Sequence, residues 1–281
     1  MRSDPRQVSL IVSAQSLIKP LVVIKLGGAA LTDKKKIYTP RMTVIRSVAR
    51  QLAGIKSRFS LVIVHGAGSY GHIPVSQFKL SHGFRNDQQL TGLSETKSRL
   101  LEWELILTDI FVQFNIPVIP ITASDYVIAR RGRIDTCNMS PIKEWMRLGC
   151  VPSTGGDIVA DVSSGFSIVS GDQLAVHIAM SLHASKLIFG TDVDGIFESN
   201  PIENKAARLL RVVHVRKAKQ ISAGVATGIT DVTGGMKGKI EEASRAAEAG
   251  ISVIFVNLVK GNRLHDIVFG RRSVICTELV E

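Results

Sequence analysis

Cysteine is scarce in this 281-residue chain, where Cys137, Cys150 and Cys276 stand far apart, form no CxxC pair and leave an odd count. That argues against a disulfide framework and a cysteine-held metal, and makes reduced thiols in the cytoplasm the expectation. Aromatic residues amount to 5% and do not interleave with the basic ones. Acidic residues are the minority, 24 against 35 Lys and Arg, for a formal charge of +11. The surplus is spread out, with only short clusters at Lys34–Lys36, Arg130–Arg133 and Arg271–Arg272. This pattern speaks for an anionic small substrate and against nucleic acid as the main partner. Long apolar runs are missing too, since Leu21–Leu26 and Leu61–Val64 are far below the roughly 20 residues that span a bilayer, so no membrane partner is expected.

What is present is the rhythm of an α/β protein. Apolar runs at Leu21–Leu26, Leu61–Val64, Val118–Ile121 and Lys186–Gly190 alternate with helical stretches at Pro40–Gly54, Ser94–Phe114, SGDQLAVHIAMSLHA and Ile240–Ala249. That alternation predicts a mainly parallel sheet with helices packed on it. Pro40 behind Thr39 marks a helix start. Leu100, Trp103, Leu107 and Phe111 share one face of the second helix, read as core with part of it available to line an apolar pocket. Val127–Asp135 and Val159–Val169 read as hairpins, and His177 and His183 as packing or surface residues. With 45% hydrophobic residues the chain fills one large α/β domain or two joined lobes. Met1–Pro20 carries Arg2, Arg6 and serines, but Asp4 and its short apolar stretch argue against targeting. It is expected to be an N-terminal extension (1–20) to a domain over 21–281.

Three glycine turns carry the chemistry. Leu61–Pro74, LVIVHGAGSYGHIP, is a strand run into a loop with Gly66, Gly68 and Gly71 that closes on His72. Glycines let backbone N–H groups approach phosphate oxygens, and an imidazole there meets the group whose charge changes. A second turn follows Lys25 with Gly27, Gly28, Ala29 and Ala30, then Thr32, Asp33 and Lys34. Either turn alone serves tight strand–helix packing equally well; together with Lys25, Lys34 and His72 they favour phosphate chemistry. The third, DVTGGMKGK over 231–239, places Lys237 and Lys239 before a helix, where the helix N-terminus adds positive potential. Between them TDVDGIF sets Asp192 and Asp194 beyond a strand end, in reach of Mg²⁺ or a ribose, or simply capping the turn.

In order, KLGGAALTDK, HGAGSYGH, GGDIV, SGDQLA, TDVDGIF and VTGGMKGK resemble the amino acid kinase superfamily over roughly residues 21–270, and within it the isopentenyl phosphate kinases most. The resemblance implies an open αβα sandwich, an acceptor lobe over about 21–165, an ATP lobe over about 166–281, and a homodimer. By position, Lys25 resembles the lysine that reaches the transferring phosphoryl group, and Gly27, Gly28 and Ala29 the phosphate-facing turn. Lys34 matches the TDK lysine. Ala67 and Gly68 fall where backbone amides meet acceptor and ATP phosphates, and His72 matches the histidine of phosphate-accepting members. Gly156 matches an acceptor-contacting glycine. Asp172 matches the aspartate that orients the lysines, Asp192 and Phe197 nucleotide contacts, and Gly235 with Lys239 the GxxxK element, with Lys237 as a helper.

Thr154-Gly155-Gly156-Asp157 departs from the usual histidine-glycine-aspartate pattern, and Ile73 intrudes before Pro74; both lie beside the acceptor. The implied reaction is direct in-line transfer from ATP, with Mg²⁺, to an acceptor phosphate already ionised, without a general base. Val75, Phe78, Leu101 and Ile106 are candidates for an apolar tail pocket, or for ordinary core. A kinase of another small phosphate or phosphonate, resembling fosfomycin kinase, is the nearest rival; a non-catalytic nucleotide binder is the rival of another class.

Overall fold

The computed structural model describes residues 19–33, 36–199, 201, 204–224, 235–271 and 273–281. The first half runs through β1 (Leu21–Leu26), α1 (Gly28–Leu31), α2 (Met42–Ile55), β2 (Ser60–His65), α3 (Gly68–Gln77), α4 (Gln88–Gln113) and β3 (Val118–Pro120). It continues as β4 (Val127–Arg130), β5 (Arg133–Cys137), α5 (Ser140–Arg147), β6 (Val151–Gly155), β7 (Asp157–Asp161) and β8 (Gly165–Val169). The second half holds α6 (Gly171–Ser181), β9 (Lys186–Thr191), β10 (Ile196–Phe197), β11 (Leu209–Leu210) and β12 (Val212–His214). It ends with α7 (Val215–Gly224), α8 (Gly235–Glu248), β13 (Ser252–Asn257), α9 (Arg263–Val268) and β14 (Cys276–Val280).

The eight-stranded sheet has the order β12-β14-β13-β9-β1-β2-β6-β3, and every pairing in it is parallel except β13 with β14. Central strands such as β1 and β2 are buried on both faces, which is why they read as continuous apolar runs. The period of two in β1 sends Val22, Ile24 and Leu26 to a core packed by α2, α4 and α9. Val23 points into the opposite core, built by α6 and α8. The fold is therefore the expected αβα sandwich. Lys25 shares the parity of Val23, so its ammonium emerges on the α6 and α8 side.

The two expected hairpins form β4–β5 and β7–β8, which join as a second, four-stranded sheet in the order β5-β4-β7-β8. Pro40 does not start a helix: it bridges Thr32, and α2 begins at Met42. The backbone there is already committed, because Asp33 N donates to Thr39 O and Arg41 N to Leu31 O. The long helix starts at Gln88, six residues before the expected Ser94. Gln89 explains it, accepting from the N–H groups of Arg85 and Asn86 and donating to Lys79 O.

Candidate active site

Three strand ends, β1, β2 and β9, converge on one point of the sheet edge, and the glycines are what let them meet. A Cβ on Gly27 would sit 2.6 Å from Gly190 O, and one on Gly28 2.5 Å from Gly68 N. Gly27 N donates to Gly190 O at 2.8 Å, so this amide holds the loops together rather than facing outward. Gly28 and Ala29 lie in the first turn of α1 and Gly68 in that of α3, where backbone N–H groups lack an intrahelical partner. Gly68 has φ +53°, and a Cβ there would collide with Thr32.

The segment after β2 is a helix rather than a loop, so His72 sits on its second turn instead of closing a glycine cradle. Gly71 serves packing: a Cβ would lie 2.4 Å from Ala67 Cβ and 3.3 Å from Leu100.

Below these turns lies a charged node. Asp172, in the first turn of α6, has Lys25 Nζ 2.7 Å from Oδ1 and Lys239 Nζ 2.6 Å from Oδ2. Ser170 caps the helix by accepting from Gln173 N, which fixes the start of α6 and with it Asp172. All three charged side chains are nearly inaccessible, at 6%, 8% and 14% for Lys25, Asp172 and Lys239. Burial by itself raises the Asp172 pKa, but the two ammonium groups outweigh it and hold the carboxyl well below the usual carboxylate range. Lys25 is pushed down to about 8, because burial outweighs the attraction of Asp172 and Lys239 adds repulsion. One carboxylate thus gathers two cations, leaving net positive charge. Lys239 lies within α8 rather than ahead of it, as does Lys237, since the helix begins at Gly235. A bidentate pair between Arg133 and Glu242 ties α8 to the β4–β5 hairpin.

Beside the node opens a shallow apolar cleft lined by Ala67, Gly71, His72, Val75, Thr96, Leu100, Gly156, Asp157, Ile158, Ile168, Val169 and Ser170. The structure therefore brings Ala67, His72 and Gly156 to one cavity, with Ser170 leading from it to Asp172. Of the tail candidates, Val75 lines this cleft. Leu101 lines a neighbouring one, across Leu100 and Gly156. Phe78 packs in a small cluster with Val75, Leu80, Ile158 and Phe166, and Ile106 belongs to the core on the α2 and α4 side.

Sequence reasoning missed Thr96, Ile158 and Ile168 as lining residues. It also missed the ion pair of Lys97 with Asp157 (2.6 Å), whose carboxylate further accepts from Ser124 N and Ile158 N. Asp157 follows Gly156 directly, which was a usable signal; Lys97 lies 60 positions away and gave none. Asp192 lies exposed at the end of β9 and Phe197 half-buried in β10. The Asp194 carboxylate does not face the node, because it is held by Arg263 at 2.8 Å and by Asn257. Lys34 and the turn over 231–234 lie outside the described residues.

A model of the amino acid kinase family matches residues 20–257. The chain belongs to the amino acid kinase family. This kinase is 34% identical to the isopentenyl phosphate kinase of Methanothermobacter thermautotrophicus over 251 residues, 86% of this chain and 93% of the relative. It is 31% identical to that of Thermoplasma acidophilum over 268 residues, 92% of this chain and 99% of the relative. Among solved structures, one of isopentenyl phosphate kinase superposes with a TM-score of 0.80 at 29% identity, covering 92% of this chain and all of that one. UMP kinase from Ureaplasma parvum, at 17% identity and a TM-score of 0.63, shares the fold.

No group of three His, Cys, Asp or Glu among the described residues of the kinase suits a metal ion, and the Asp172 carboxylate is taken by two lysines. The described side chains alone thus offer no cluster that would hold Mg²⁺.

Proposed function

We propose that this kinase transfers the γ-phosphoryl group of ATP to a phosphate oxygen of isopentenyl phosphate, giving isopentenyl diphosphate and ADP in isoprenoid biosynthesis. The observation that carries the reading is the junction of the Lys25–Asp172–Lys239 node with an apolar cleft that presents His72. A short branched hydrocarbon suits the cleft, and its phosphate meets His72 and the backbone at Ala67, with the side-chain-free Gly156 alongside, its N–H held by His65 O. The similarity to isopentenyl phosphate kinases supports the same acceptor.

In this mechanism the bond between the γ-phosphorus and the β,γ-bridging oxygen breaks as the acceptor oxygen bonds to the γ-phosphorus, with no enzyme-bound intermediate. The acceptor phosphate is already ionised, so no base is needed. Lys25 and Lys239 stabilise charge on the migrating group and on the departing ADP, and Asp172 keeps both ammonium groups aimed. His72 donates to the acceptor phosphate. ATP comes as its Mg²⁺ complex and is held by the N–H groups of Gly28, Ala29 and Gly68, by Lys34, and on the far side by Asp192, Phe197 and Gly235.

No helix among the described residues is long and apolar enough to cross a membrane. A cytoplasmic homodimer without nucleic-acid or membrane partners fits this reading, and Leu101, Leu105 and Val112, each more than half exposed along α4, support a self-association face.

The test is ADP release with ATP, Mg²⁺ and a panel of isopentenyl phosphate, dimethylallyl phosphate, fosfomycin, uridine monophosphate and acetylglutamate. Highest kcat/KM for isopentenyl phosphate is the expected outcome. Preference for another acceptor moves the substrate, and silence across the panel overturns the reading.

A further inference from the structure

The acceptor half of the site hangs from two neighbouring strand ends. β2 leads into Gly66, Ala67 and the His72 helix; β6 leads into Gly156 and Asp157; the two pair in parallel with Ile63 opposite Ser153 and His65 opposite Gly155. Their separation at this end sets the distance between His72 and Gly156. One half-buried carboxylate spans them from behind. Glu104 of α4 accepts from Ser153 Oγ with Oε1 at 2.8 Å and bonds His65 Nε2 with Oε2.

His65 touches both halves of this region. Its carbonyl accepts from Gly156 N at 3.1 Å, and Gly171, next to Asp172, packs so closely on it that a Cβ would lie 2.9 Å from the oxygen. Its ring fills the space beside Gly155, where a Cβ would fall 2.3 Å from Cε1. The side chain is 4% exposed, and Nδ1 has no hydrogen-bond partner among the described residues. The imidazole therefore has a single polar anchor, Glu104. Trp103, adjacent to Glu104, stands edge-on to the His65 ring and donates to Gly66 O at 3.0 Å. Burial alone raises the Glu104 pKa, yet His65 and the Ser153 hydroxyl outweigh it and keep the carboxyl ionised below its ordinary value.

We propose that Glu104 is a positioning residue for the acceptor phosphate, acting through His65 and Ser153 to fix the His72 helix against Gly156; the proposal rests on the phosphoryl-transfer reading above. Glu104 does not line the cleft that holds His72; with His65 it lines the neighbouring one, away from the place of the acceptor phosphate. Its bonds reach β2 and β6 and leave β9 and β13, on the nucleotide side, untouched.

The experiment is steady-state kinetics of Glu104→Gln with each substrate varied in turn. The amide keeps the shape but cannot accept from both His65 and Ser153. A misplacement of about 1 Å can cost on the order of 10²-fold, so kcat/KM for isopentenyl phosphate is expected to fall about tenfold or more. The KM for ATP is expected to stay within about twofold, which separates lost positioning from general loosening. His65→Gln, which retains an N–H for Glu104, is expected to outperform His65→Ala, and Ser153→Ala supplies a milder variant should Glu104→Gln fail to fold. In the ¹⁵N-histidine spectrum, the downfield Nε2–H proton of His65 is expected in the wild type and absent from Glu104→Gln. Wild-type acceptor kinetics in a folded Glu104→Gln, or an equal rise in both KM values, overturns the proposal. An active wild type with unaltered variants sinks this proposal alone; a wild type silent with every acceptor sinks the kinase reading as well.

Discussion

Lys25 and Lys239 share one carboxylate: each ammonium contacts a different oxygen of Asp172, at 2.7 and 2.6 Å. The strand that opens the domain and the helix near its end thus meet at a single buried anion, and the meeting point borders the acceptor cleft. Without that anion the two cations would repel each other in a site that water scarcely enters.

Asp172→Asn is therefore expected to lower kcat by at least about 10²-fold, because two groups that stabilise transferring charge lose their aim. Breaking a buried pair by removing one partner typically costs about 3–5 kcal/mol, so urea unfolding of the variant should show a loss of that order. Unchanged turnover in a destabilised variant would leave Asp172 a structural residue only.

The Lys25 pKa sets a pH dependence. In the proposed mechanism the charged form is the active one, and Lys25 is pushed down to about 8. Accordingly kcat/KM is expected to decline as pH rises through about 8, and Lys25→Arg, which stays charged, should flatten that limb while reducing the rate. A wild-type profile level well into the alkaline range counts against Lys25 as the titrating group.

At the acid end the carboxylates decide stability. The pKa values of Asp172 and Glu104 are both held below their ordinary values in the fold. A depressed carboxylate contributes stability that is complete above its unfolded pKa of about 4 and is lost as pH falls through the lower folded value. Thermal unfolding from neutral to strongly acid pH is expected to show that loss, diminished in Asp172→Asn and Glu104→Gln relative to the wild type. Equal acid sensitivity in all three proteins would assign it elsewhere.

His72→Ala is expected to reduce turnover by about 10²-fold or more, comparable to losing one preorganised donor, with nucleotide binding by calorimetry unchanged. Near-normal turnover in the purified, folded variant would remove His72 from the mechanism.

Leu100 lies between the two clefts, together with Gly156 and Asp157. Leu100→Ala should join them and raise kcat/KM for longer prenyl phosphates relative to isopentenyl phosphate, as read in a competition assay. An unchanged ratio would show that the acceptor tail does not run toward Leu100.

The parallel sheet and the alternation of strands and helices from Leu21 to Gly190 were legible in the chain, because each follows from local rules, whereas β12, β13, β14, α5 and α9 were not singled out. Apolar runs of strand length, helical periodicity and glycine at strand ends act over a few residues. Those rules also misplaced some features. Pro40 read as a helix start until pairing with Thr32 claimed its backbone, and the His72 segment read as a loop although Gly68 opens a helix there. Ile106 carried the same apolar signature as Val75 and belongs to another core, since periodicity tells that a side chain is buried and not what it is buried against.

The sequence by itself determined the fold class and offered candidates for the site: strands such as Leu21–Leu26 and Leu61–Val64, and Lys25, His72 and Lys239 beside glycine turns that suit phosphate chemistry. Only the tertiary structure decided how those groups combine. That Asp172 holds both lysines, that Lys97 pairs with Asp157, and that Glu104 bridges Ser153 and His65 are contacts between residues 39 to 147 positions apart. Such pairings arise from the crossing of packed elements in space, which no local pattern of residues encodes.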